Sequence, residues 1–140
     1  SGLVGASHFV VKTWAVTNEY LSGIARGAEI SAVLTAALAA VDSQKAVRDA
    51  LKFDDGKIFV RDEVFELAPH GKLIVVGAGK ASAAMAAAVF EIFGSRIEKG
   101  LVITKDGHSQ RQIIGNVEIV EAAHPVPDER GAAASKRLLE

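Results

Sequence analysis

The spacing of apolar residues changes near Pro69, and the change divides the chain into two grammars. Ahead of it, Phe9, Val10, Trp14, Val16, Tyr20 and Leu21 recur at steps of three and four, which predicts helix until Gly23 and Gly27 interrupt it. From 29 to 41 an alanine-rich stretch sets Ile30, Val33, Leu34, Leu38 and Val41 on one face. Asp42 or Ser43 can then cap a third helix carrying Val47 and Leu51, so residues 1–52 read as a helical segment. Residues 53–68 read as a hairpin. Asp54-Asp55-Gly56 is a turn signal between Phe53 and the alternating Ile58-Phe59-Val60, and Val64-Phe65-Glu66-Leu67 supplies a partner strand.

Beyond Pro69 the pattern becomes strand, loop, helix, with strands predicted at 73–76, 101–104 and 117–120. Such alternation argues for a parallel sheet covered by helices. A helix over 81–93 places Ala81, Met85, Ala88, Val89 and Ile92 on one face and stops at Gly94, while a last helix over 129–140 is capped by Asp128 and has no terminator. The predicted fold class is α/β: a parallel, Rossmann-like sheet with flanking helices, preceded by the helical segment and the hairpin. No repeat or Pro- or Ser-rich linker divides residues 1–140, which read as one domain, cut short in its last helix.

Composition narrows the function classes. Hydrophobic residues make up 49% and charged residues 24%, enough apolar material for a core. A net charge of −1 without a basic cluster argues against nucleic acid or an anionic membrane as partner. The absence of cysteine removes disulfides and thiolate chemistry. The longest apolar stretch, 32–41, is too short to span a bilayer, and the start lacks a leader pattern, so the expectation is a soluble cytoplasmic protein acting on a small molecule. Apolar surface left bare by a cut domain would favour a homo-oligomer.

The richest chemistry lies where the strand Leu73-Ile74-Val75-Val76 empties through Gly77-Ala78-Gly79-Lys80 into a helix. Glycines there permit backbone angles closed to other residues and close approach of a ligand. The first helical amides lack internal partners, and Lys80 adds a positive charge. The spacing is neither that of the phosphate loop nor that of the dinucleotide fingerprint, whose third glycine is replaced by Ser82. If the strands are parallel, this loop shares the ligand-binding sheet edge with Thr104-Lys105-Asp106-Gly107-His108 and with Ala123-His124-Pro125-Val126-Pro127-Asp128. Lys80, Lys105, Gly107, His108 and His124 are therefore candidate contacts to an anionic ligand. The plainer alternatives are a solvated charge for each lysine and a loop-orienting hydrogen bond for each histidine. The opposite edge, with His70-Gly71-Lys72 and Gly94-Ser95-Arg96-Ile97-Glu98-Lys99, reads as solvated turns. No set of side chains has the spacing of a metal site.

Taken together, VVGAGKASAAMA, LVITKDGH and VEIVEAAHPVPDERG, in this order and spacing, resemble the amino-terminal part of the glycerate 2-kinase family, whose members also carry a MOFRL domain and some of whom are labelled hydroxypyruvate reductase. The likeness covers residues 42–140. It implies ATP-dependent phosphorylation of D-glycerate to 2-phosphoglycerate with a divalent metal such as Mg²⁺, in a cleft between two α/β domains. Carried over, Lys80 is the catalytic or phosphate-contacting lysine, Gly77 and Gly79 shape its loop, and His108, His124 and Asp128 line or brace the cleft. Asp106 puts a negative charge in a loop meant to face anions, so it points away, helps hold a metal, or marks a different substrate. The remaining family motifs are expected beyond Glu140, and a fragment without them is expected to be inactive alone. The competing readings are a nicotinamide-dependent reductase, opposed by the missing third glycine and by Lys105 where an acidic residue would end the second strand, and a non-catalytic nucleotide- or anion-binding module.

Overall fold

A computed structural model of the chain describes residues 19–109 and 111–140. The predicted helical positions Phe9, Val10, Trp14 and Val16 lie outside that range. The described residues fall into two compact units, 19–42 and 43–140. In the first, α1 (Glu19–Ser22) and α2 (Gly27–Ala40) are separated at the expected Gly23, but Gly27, also expected to interrupt, is the first residue of α2, following Arg26 at a positive φ of 62°.

The second unit opens with α3 (Ser43–Ala50), which leads directly into a meander of three antiparallel strands, β1 (Leu51–Asp54), β2 (Lys57–Val60) and β3 (Glu63–Glu66). The expected hairpin thus gains a strand, β1, where helix had been predicted as far as residue 52. The reason is local. Asp55 and Gly56 both take positive φ, which is the two-residue turn that matches strand twist, so Asp54 pairs with Lys57 and the ladder runs back to Leu51.

The main sheet has the order β4-β5-β7-β6. Strands β4 (Leu73–Ala78), β5 (Ile97–Lys105) and β7 (Val117–Ala122) are parallel, and the two-residue β6 (Ile113–Ile114) is antiparallel to β7. Strand β5 begins four residues before its prediction. Ile97, Glu98 and Lys99 belong to the strand and not to a solvated turn, because a register shift between Leu73 and Ile74 lets Ile97 bury completely. Only Gly94–Arg96 forms a turn there, a single 3-10 turn.

Helix α4 (Ser82–Phe93) covers one face. Ala86 and Phe93 pack with Ile97, Val102 and Val117, and Ala83 packs with Ile114 and Ile119. Its alanines let it lie close to the strands. Gly100 on β5 serves the same end, since a Cβ there would sit 2.6 Å from the Val75 carbonyl and 3.0 Å from Val117. The meander joins this face through Phe53, whose ring lies 5.4 Å from that of Phe93, and α3 through the Arg48–Glu91 ion pair. Side chains alternate along a strand, so Glu118 and Ala122 point to the other face, where α5 (Glu129–Leu139) lies against them through Arg137 and Gly131. On β4 the matching positions Ile74 and Val76 are each 62% exposed.

Candidate functional site

Because β4, β5 and β7 run parallel, the loops leaving their carboxyl ends lie along one edge of the sheet, as the sequence pattern requires. A cavity of about 150 Å³ opens there, lined by Gly79, Lys80, Ile103, Thr104, Lys105, Ala122, Ala123 and His124. It contains both candidate lysines, one candidate glycine and one candidate histidine. Among the described residues, no hydrogen bond or ion pair engages the side chains of Lys80, Lys105 or His124, so two ammonium groups face this edge unneutralised.

The loop that carries Lys80 is held from beneath. The Gly79 amide donates to the Ile103 carbonyl at 3.0 Å, and the Ser82 amide donates to the Gly79 carbonyl at 3.2 Å. The buried Ser82 hydroxyl lies 2.6 Å from the Gly79 carbonyl and 2.9 Å from that of Ile103, sharing its single proton between them. Ser82, which breaks the dinucleotide fingerprint, thus ties the first turn of α4 to β5. Its signal was present in the sequence as a small hydroxyl residue at a helix start. Gly79 has a φ of +123° and an open approach, with nothing within 4 Å of the place a Cβ would take. Gly77 differs from its expected role: it is a regular residue of β4 in register with Val102, and a Cβ there would meet Ser82 and Val102 at ordinary distances of 3.5 and 3.6 Å.

Gly107 and His108 belong to the neighbouring turn and do not line this cavity. Gly107 has a φ of +74°, the His108 amide donates to the Lys105 carbonyl at 3.0 Å, and the His108 ring is exposed. Asp128 does what its place at a helix start predicts, its Oδ1 accepting from the Gly131 amide at 3.1 Å as the cap of α5. The His124–Pro125 peptide bond is cis.

Arg130 takes a part that the sequence reading did not assign. Its Nη1 and Nη2 donate to the two carboxylate oxygens of Asp106 at 2.8 and 2.7 Å, and its Nε donates to Asp128 at 2.7 Å. This answers the question set by Asp106, whose charge is taken up by Arg130, and it straps the turn after β5 to the start of α5. The Gly131 amide and then the Arg130 guanidinium hold the Asp128 carboxyl below its usual range, and the two carboxylates push the arginine up. No sequence signal singled out Arg130, because its partner Asp106 lies 24 residues away. Among the described residues, no three His, Cys, Asp or Glu side chains come together in a way that could hold a metal ion, and no single helix is long and apolar enough to cross a membrane.

Comparison with known proteins places this geometry in a family. Residues 29–140 match the model of DUF4147, a domain of unknown function. A glycerate 2-kinase of Pyrococcus horikoshii is 36% identical over 103 residues, a stretch covering 74% of this chain and 22% of that protein. A D-glycerate 2-kinase of Thermotoga maritima is 48% identical over 69 residues, covering 49% of this chain and 16% of that protein. Among solved structures, a Pyrococcus horikoshii protein superposes with a TM-score of 0.65 at 36% identity, covering 71% of this chain and 22% of its own. The chain therefore spans about a fifth of the length of the relatives it matches. With the motifs, the parallel sheet and the lysine-bearing edge in agreement, the chain belongs to the DUF4147 domain family and is a member of the glycerate kinase family of proteins.

Proposed function

We propose that this chain supplies the lysine-bearing wall of an ATP-dependent kinase that phosphorylates D-glycerate to 2-phosphoglycerate. The observation that carries the reading is the pair of unneutralised ammonium groups, Lys80 and Lys105, on one small cavity at the carboxyl edge of a parallel sheet, beside the start of α4. Phosphoryl transfer asks little covalent chemistry of a protein; positioning and neutralising charge do most of the work. ATP, when bound, supplies the transferred phosphoryl group. Lys80 is the main cationic contact to a phosphoryl or carboxylate oxygen, and Gly79 keeps the backbone clear so that the oxyanion approaches the first amides of α4. Lys105 adds a second charge, and His124 stands at the rim within reach of a bound hydroxyl or oxyanion. The described residues do not fit a site for Mg²⁺, so no step is drawn through a metal. They also offer no carboxylate pair for acid–base work at this cavity, so the 140-residue chain is inactive alone in this reading. Two similar proteins of Agrobacterium vitis carry a hydroxypyruvate reductase name, so what tells against a nicotinamide-dependent reductase here is the missing third glycine and Lys105 where an acidic residue would end the second strand.

The test is Lys80→Met in the protein that carries this chain, assayed by glycerate-dependent ADP release. Loss of one transition-state stabiliser predicts a fall on the order of 10²-fold or more. Unchanged turnover overturns the assignment of Lys80, and hydride transfer from NADH without ADP release overturns the kinase reading.

A further inference from the structure

Thr104 is the penultimate residue of β5 and lines the cavity together with Lys80, Lys105 and His124. The residue is 2% exposed, and among the described residues Oγ1 has no hydrogen-bond partner. The polar side chains placed nearest by the topology are already engaged. Glu121, opposite Thr104 in the β5–β7 register, accepts from the Ser109 amide at 3.0 Å, and the Ser82 hydroxyl gives its proton to the carbonyls of Gly79 and Ile103. A buried hydroxyl left in this state destabilises the chain that holds it, whereas a valine of the same shape would carry no such cost. The unmet hydroxyl therefore has the mark of a group whose partner arrives with a ligand.

We infer that Thr104 is an oxyanion-binding residue of the proposed site, its hydroxyl donating a hydrogen bond to an oxygen of the phosphoryl or carboxylate group that Lys80 and Lys105 neutralise. The inference rests on the anion-binding part of the function proposed above. Less than 1 Å² of Oγ1 is open to solvent, so the bond forms only with a shift of the residues lining the cavity. Filling the cavity and moving its wall are one event. A hydrogen bond to a charged group made only in the bound state gives Thr104→Val an unusual signature: unliganded stability holds or rises while affinity falls.

The experiment compares the 140-residue chain with its Thr104→Val and Thr104→Ser variants by thermal unfolding without ligand and by NMR titration with inorganic phosphate and, separately, with D-glycerate. The expected result is an equal or higher melting temperature for Thr104→Val, an affinity weakened on the order of 10-fold or more, and wild-type affinity in Thr104→Ser. Whichever titration is weakened identifies the phosphoryl or the carboxylate oxygen as the partner. A combined fall in stability and affinity that serine restores also supports the inference. Wild-type binding that Thr104→Val leaves unchanged overturns it and spares the anion site. A fall in both properties that serine does not restore marks a packing role and overturns it as well. A wild-type chain that binds neither oxyanion overturns both this inference and the reading it rests on.

Discussion

Two glycines only two residues apart, Gly77 and Gly79, make different demands on the backbone. Gly79 sits at a φ of +123°, a region nearly closed to residues with a Cβ, while Gly77 is ordinary strand with room for a methyl. Gly79→Ala is thus expected to cost about 1–3 kcal/mol in folding stability and to distort the Lys80 loop. Gly77→Ala should change stability by no more than about 0.5 kcal/mol. Chemical unfolding of both variants checks this pair, and equal losses would show that the loop conformation is not what requires glycine. The same scale explains why Lys80 and Lys105 are suited to an anion: among the described residues no carboxylate pairs with either.

At the scale of elements, the strap from Asp106 through Arg130 to Asp128 links the turn after β5 to the cap of α5. A second pair, Arg137 with Glu118, fastens the far end of the same helix to β7 and lowers the Glu118 carboxyl through the arginine hydrogen bond. These groups are well exposed, so each pair contributes modestly and is screened by salt. The folded pKa values of Asp128 and Glu118 lie below the unfolded ones, so their contribution is present above the ordinary carboxylate range and is lost as pH falls through the lowered values. Melting temperature should accordingly hold from neutral pH to about 5 and fall below about 4. Asp128→Ala is expected to lower the melting temperature at pH 7 by a few degrees and to shallow the acid fall. An acid limb as steep as that of the parent would place the titrating groups elsewhere.

For the whole molecule, the sheet is unevenly dressed. Among the described residues, one face is covered by α4, α3 and the meander, while on the other α5 lies mainly against β7 and β5 and the edge strand β4 keeps Ile74 and Val76 exposed. Bare apolar strands with free backbone groups are a template for association. The 140-residue chain is expected to self-associate as its concentration rises, and Ile74→Lys with Val76→Lys to restore a monomer by sedimentation or light scattering. A parent chain that stays monomeric at millimolar concentration would show that this surface is tolerated by itself.

Local grammar was legible because it depends on neighbours in sequence. The pattern of apolar residues marked α2, α4 and every strand of the main sheet except β6, Gly94 and Asp128 marked the end of α4 and the start of α5, and the strand-to-glycine-to-helix run put Lys80 at the carboxyl edge of a parallel sheet. Two-residue β6 carried too few positions to show a period, and β1 was hidden because its pairing is set by a turn and not by its own alternation. Tertiary structure alone decided which residues meet: that Lys80, Lys105 and His124 share a cavity from which His108 is left out, that Arg130 finds Asp106 across 24 residues, and that the Thr104 hydroxyl is buried without a partner. The physical reason is common to all three. A hydrogen bond or a cavity is a relation between separate stretches of chain, and strand register, fixed only when the sheet closes, settles which stretches come within its few ångströms of reach.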